Sequence, residues 1–312
     1  MAASDSALTV DDVRQLADSW VVSLRAARKS AQTVAVYQRS VEQYLRWCES
    51  ADALPMRRRS LDGFIADLME NGREASTARS RLTGVKSLTA WLLAENEIEL
   101  DPFSGVQRPK LDTKVLEPLT DDQIRAMLAT CTLRTGIAKD AKFCNIRDEA
   151  LLRIMVETGL RAGEVLGVAA DDVRWRESPP YLIVRKSKTH TGRMVPFSAT
   201  AALALDRYLR QRRTHVLAAS SALWLGGRKN TLSYAGLYDT LVDRARRAGI
   251  DHFHPHLLRH TAAHRWLAAG GSESGLMAVA GWSRPDMLVR YTKARQQDRA
   301  IAEAQGLNLG EI

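Results

Sequence analysis

The chain has 312 residues, 45% hydrophobic and 26% charged, which reads as a soluble globular protein with room for two domains of ordinary size. Lys and Arg number 45 against 36 Asp and Glu, a formal net charge of +9 that favours a polyanionic partner. The cysteines Cys48, Cys131 and Cys144 form no CxxC pair, which argues against a zinc site or a disulfide framework and fits a reducing cytoplasm. Residues 1–10 lack a charged-then-apolar signal pattern and no apolar run reaches bilayer length, so the expectation is a cytoplasmic protein with no membrane partner.

Apolar residues at helical spacing (Val13, Leu16, Trp20, Val21, Leu24) predict a first helix over 10–24. Ser30 offers an N-cap for a second, whose stripe is Val34, Tyr37, Val41, Tyr44, Leu45 and Cys48. Its other side carries Gln32, Gln38, Arg39 and Gln43, amides and an arginine that suit a DNA groove or backbone as well as plain solvent. Further helices are predicted over 61–69 and 77–95, the latter bearing Arg79, Arg81 and Lys86, and the four make one compact helical domain. Pro102, Gly105, Pro109 and Pro118 then break the pattern, and Arg108, Lys110 and Lys114 make this linker a basic strap. Thr120 with Gln123 forms a capping box that starts the next helix.

The second part opens with a helix over 147–157, ended by Gly159 in a left-handed cap. Arg161 is thereby held at a junction, with Glu164 near enough to orient it; a purely structural Arg–Glu pair is the alternative. Residues 181–184 and 193–197 predict a β-hairpin with Lys186 and Lys188 at its tip. Helices are predicted over 200–211 and 233–247, at His256, and over 273–279, followed by Gly281-Trp282 and, nine positions on, Tyr291. His256 and Arg259, three apart at a helix start, lie on one face and pair a titratable base with a fixed cation. Free backbone N–H groups at that start favour an anionic guest. Taken singly, each of these residues has an ordinary structural reading.

Together, Arg161 in Thr158-Gly159-Leu160-Arg161-Ala162-Gly163-Glu164, Lys188, His256-Leu257-Leu258-Arg259-His260-Thr261, Gly281-Trp282 and Tyr291, in this order, resemble the tyrosine recombinase (phage integrase) family. The resemblance spans nearly the whole chain and is nearest to compact Xer-type and small phage or transposon integrases, with no room for an additional arm-binding domain at the front. It implies a mainly α fold with a small β-sheet. The expected parts are a helical, SAM-like core-binding domain over 1–104, a linker over 105–118, and a mixed α/β, mostly α, catalytic domain over 119–312 ending in an exchange helix.

The resemblance also implies the roles. Tyr291 is the nucleophile that forms a 3′-phosphotyrosyl intermediate and frees a 5′-hydroxyl, which conserves the phosphodiester energy and needs no cofactor, ATP or metal. Arg161 and Arg259 clamp the non-bridging oxygens. Lys188 protonates the departing 5′-oxygen, with Lys186 as the alternative, and His256 exchanges a proton with the tyrosine or donates to the phosphate. His260 supports the site. Trp282 stands where the family more often has histidine; its indole N–H can donate a hydrogen bond but cannot shuttle a proton. The expected partners are double-stranded DNA and three further copies in a tetramer that passes through a Holliday junction, with a directionality protein left open. The apolar stripe Ile301, Ala302, Ala304, Leu307 and Leu309 is expected to dock on a neighbouring copy, the alternative being its own domain. Two other readings stay open: a type IB topoisomerase-like enzyme, and a non-catalytic DNA-binding protein on the same scaffold.

Overall fold

The computed structural model describes residues 8–111, 117–132, 141–185, 192–227, 229–282, 284, 285 and 288. The chain separates into two compact units, 1–114 and 115–312.

The first unit contains α1 (Val10–Ala26), α2 (Ala31–Ser50), α3 (Arg58–Glu70) and α4 (Ala75–Ala94). Thr9 caps α1 in a reciprocal capping box with Asp12, and Ser30 caps α2 by accepting from the Thr33 amide, so two of the four starts are fixed by short polar side chains. The apolar stripes meet in a core that includes Trp20, Tyr44, Leu61, Leu82, Leu88 and Leu92. Phe103 and Val106, beyond α4, are buried in the same core.

The second unit is organised on α6 (Ala141–Thr158), preceded by α5 (Asp121–Thr130), whose start carries the expected Thr120–Gln123 capping box. The helix α6 begins six residues earlier than predicted (147 − 141), its added first turns packing Phe143 and Ile146 against the core, and Arg147 and Asp148 within it are buried in spite of their charge. They and Arg244 form one ionic cluster: Asp148 Oδ1 accepts from Arg147 and Oδ2 from Arg244, whose guanidinium also donates to Thr130 O and Asn145 Oδ1. After α7 (Ala162–Leu166) come β1 (Val173–Arg174), β2 (Tyr181–Val184) and β3 (Arg193–Pro196), an antiparallel sheet in that order. The β2–β3 hairpin is as predicted, with Val184 opposite Arg193; β1 is added by the structure, two residues being too short to show an alternation. The chain continues through α8 (Ala199–Arg212), α9 (Tyr234–Arg247), α10 (Pro255–Ala268) and α11 (Glu273–Ala280).

The helix α6 packs on α8 and α10 through a core that includes Leu151, Ile154, Met155, Leu205, Tyr208 and Leu258. Thr261, on α10, is fully buried; its Oγ1 donates to Leu257 O and accepts from the amide of Leu119, where the chain enters this unit. The architecture is thus mainly α with one small sheet. Among the described residues no helix is long and apolar enough to cross a membrane, and no group of three or more His, Cys, Asp or Glu is placed to hold a metal ion.

Candidate active site

Arg161, His256, Arg259 and Trp282 come from three separate places in the second unit. Arg161 is the N-cap of α7, directly after Leu160 and the left-handed Gly159 (φ +62°) that ends α6. His256 and Arg259 sit on the first turns of α10, which starts with Pro255 at its first position, where a missing N–H costs no helix hydrogen bond. Trp282 follows the second left-handed glycine, Gly281 (φ +65°), at the end of α11.

The carboxylate of Glu164 links two of them, Arg161 and Arg259, with Arg193. Arg161 donates to it twice, from its backbone amide to Oε2 at 2.9 Å and from Nη1 to Oε1 at 3.1 Å. Arg193, the first residue of β3, donates in a fork, Nη1 to Oε1 at 3.1 Å and Nη2 to Oε2 at 2.9 Å. Arg259 Nη1 lies 4.0 Å from Oε2. Burial alone would raise the pKa of Glu164, but donation from Arg193 and from the Arg161 amide outweighs this and holds the carboxyl below its ordinary range. Three guanidiniums against one carboxylate leave a local charge of +2 (3 − 1), an environment suited to an anion.

Arg161 and Arg259 differ in setting. The side chain of Arg259 is 2% exposed: Nη1 donates to Gly159 O and Nη2 to Ala280 O, both at 2.8 Å, and the guanidinium lies 5.1 Å from the centre of the Trp282 ring. Arg161 is 44% exposed at its side chain. Both glycines are required by this packing as well as by φ: a Cβ on Gly159 would stand 3.1 Å from Ala262 Cβ, and one on Gly281 would stand 2.9 Å from the Arg193 guanidinium.

His256 is open to solvent, its ring 6.5 Å from that of His254. Its pKa is lowered from 6.5, by partial desolvation first and then by the facing charges of Arg259, His254, Arg161 and His260, so the neutral ring is the resting form at pH 7. Lys188, its alternative Lys186, Tyr291 and the apolar tail at 298–309 lie outside the described residues.

Sequence reasoning missed Arg193 as part of this cluster. One signal was available: strand alternation puts Arg193 on the same face as buried Val195, and a cation on an inward face needs a partner. In the first unit, Arg81 on α4 has its pKa lowered by burial and by Arg39 and Arg73, a concentration of cations beside the polar side of α2.

The phage integrase family model matches residues 117–298, and the model of the phage integrase N-terminal SAM-like domain matches residues 17–96. The chain belongs to the phage integrase family, the tyrosine recombinases. It is 30% identical over 290 residues to the tyrosine recombinase XerD of Corynebacterium glutamicum, covering 89% of this chain and 93% of that protein. Its fold is similar to that of XerH site-specific recombinase bound to a palindromic difH substrate, with a TM-score of 0.73, 16% identity and coverage of 95% of this chain and 84% of that one. A lambda integrase tetramer bound to a Holliday junction also matches, with a TM-score of 0.67, 15% identity and coverage of 90% and 79%.

Proposed function

We propose that this chain is a site-specific DNA recombinase that cuts and rejoins strands through a 3′-phosphotyrosyl intermediate. The observation that carries the reading is the buried Glu164, which gathers Arg161 and the forked Arg193 and lies close to Arg259, with neutral His256 beside them. Such a cluster stabilises the charge that grows on the non-bridging oxygens of a phosphodiester under attack. In the assigned roles, the Tyr291 oxygen bonds to phosphorus as the bond to the 5′-oxygen breaks, His256 takes the tyrosine proton, and Lys188 gives a proton to the leaving oxygen. Trp282 supports the Arg259 guanidinium through its ring face. Re-attack by a 5′-hydroxyl reverses the step, so bond energy is conserved and religation needs no nucleotide.

Two modules fit this work: the helical unit, with its Arg39–Arg73–Arg81 concentration, and the catalytic unit each contact the phosphates of the duplex. Four copies assemble on two duplexes and pass through a Holliday junction, with the tail at 298–309 docking on a neighbouring copy. The fold similarity to a lambda integrase tetramer on such a junction supports this assembly. The working compartment is the cytoplasm.

The test uses a pool of duplex oligonucleotides randomised in both arms and nicked near the centre, so that a short fragment bearing the new 5′-hydroxyl is lost and the adduct is trapped. A denaturation-resistant protein–DNA adduct is expected, and none with Tyr291→Phe. An adduct that persists in that variant removes Tyr291 as nucleophile; no adduct from any duplex overturns the recombinase reading.

The pH dependence has a definite sign. Because the pKa of His256 is depressed, single-turnover cleavage at limiting DNA should climb with pH to a plateau, with the midpoint below 6.5, and His256→Gln should lose that limb. A midpoint above 6.5 would contradict the assignment of His256 as base.

A further inference from the structure

We infer that Arg193 is a positioning residue for the phosphate clamp, acting through Glu164 and resting on the recombinase reading above. Arg193 touches three elements at once. Its Nη1 and Nη2 grip both oxygens of Glu164 on α7, its Nε donates to Val279 O on α11 at 2.8 Å, and its backbone begins β3. Its guanidinium packs against Gly281, one residue before Trp282, whose ring lies beside the buried Arg259. The side chain is 12% exposed and that of Glu164 8%, so the pair is largely shielded from solvent screening.

Two physical consequences follow from this geometry. The fork fixes the plane of the Glu164 carboxylate, and through it the direction of the Arg161 guanidinium, which shares Oε1. It also neutralises that carboxylate. Without Arg193 the cluster would drop from +2 to +1 (2 − 1), and Glu164 would pull directly on Arg161 and on Arg259, in competition with a phosphate. Arg193 thus sets both where the clamp points and how much positive charge is left for the substrate. Lysine, a point charge with no planar fork, supplies the charge but cannot grip both oxygens and Val279 O together. The hairpin lysine candidate Lys188 precedes Arg193 by five residues (193 − 188), so the anchor also fixes where the returning strand starts.

The experiment uses the full chain and a duplex recovered from the nicked pool, made in two forms: one with the ordinary phosphate and one with a methylphosphonate at the scissile position. The methyl group removes the non-bridging charge the clamp exists to stabilise, while the same bond forms and the same bond breaks. Arg193→Ala should slow adduct formation about 100-fold on phosphate and no more than about threefold on methylphosphonate, each relative to the unaltered chain. Gel-shift affinity for the phosphate duplex at fixed salt reports binding separately. Adding Glu164→Gln to Arg193→Ala should cost less than the product of the two single effects, because both act through one contact. Equal slowing on both substrates would mean a merely structural role and would overturn the inference, as would full recovery by Arg193→Lys or an unslowed Arg193→Ala. If the unaltered chain forms no adduct with the phosphate duplex, the recombinase reading fails and this inference fails with it.

Discussion

Arg259→Ala is expected to slow adduct formation by about 10³-fold and to lower the stability of the second unit by about 2–4 kcal/mol. Arg161→Ala should slow it comparably, yet shift stability by less than about 1 kcal/mol. The two side chains serve the same charge but are held differently. Arg259 is enclosed, and its removal strands two buried carbonyls, those of Gly159 and Ala280, besides taking away the cation beside the Trp282 ring. Each stranded acceptor costs about 1–3 kcal/mol. Arg161 is nearly half exposed, and water replaces what it loses apart from a partly screened contact to Glu164. Rapid-quench measurement of the adduct and urea unfolding of the same preparations separate the two quantities. Similar stability losses in both variants would show that Arg259 is not anchored as described.

Asp148→Asn is expected to be the most destabilising single change outside the site, lowering the stability of the second unit by about 3–5 kcal/mol. This carboxylate is the only acidic partner shown for two buried guanidiniums among the described residues. Its loss leaves Arg147 with Leu225 O and Arg244 with Thr130 O and Asn145 Oδ1, neutral acceptors that cannot offset two enclosed cations. The cluster joins the end of α5, the first half of α6 and α9, so thermal unfolding should shift by many degrees. Adduct formation well below the unfolding midpoint should change little, because none of these residues faces the Glu164 cluster. A shift of only a degree or two would rule out the ionic cluster as a support of the fold.

The helices were legible in the sequence where an apolar stripe coincided with a short polar cap, as at Ser30 and Thr120. The ionic cluster within α6 was not, because Arg147 and Asp148 look like solvent residues until Arg244, 96 positions after Asp148, closes it. A similar limit applies to the site. Arg161, His256 and Arg259 declared themselves through residue type and spacing, and Glu164 through its closeness to Arg161. Arg193 did not, since alternation along a two-sided strand says which way a side chain faces but not what it meets. The sequence placed Arg259 on a face with His256; the structure puts its guanidinium beneath that face, fastened to the backbone after α6 and at the end of α11. Gly159 reads as a helix stop, and it is; the structure adds Gly281 as a second, and each also clears space beside an arginine.

The hydrogen bond from the Leu119 amide to Thr261 Oγ1 fixes the point at which the basic strap is tethered. Thr261 is two residues past Arg259 on the same helix, so the entry of the chain into the second unit is tied to the element that carries His256 and the enclosed Arg259. A displacement of the chain at Leu119 is therefore felt within one hydrogen bond of α10. The helix is otherwise held by its packing on α6, α9 and α11 and by the two bonds of Arg259 to Gly159 O and Ala280 O.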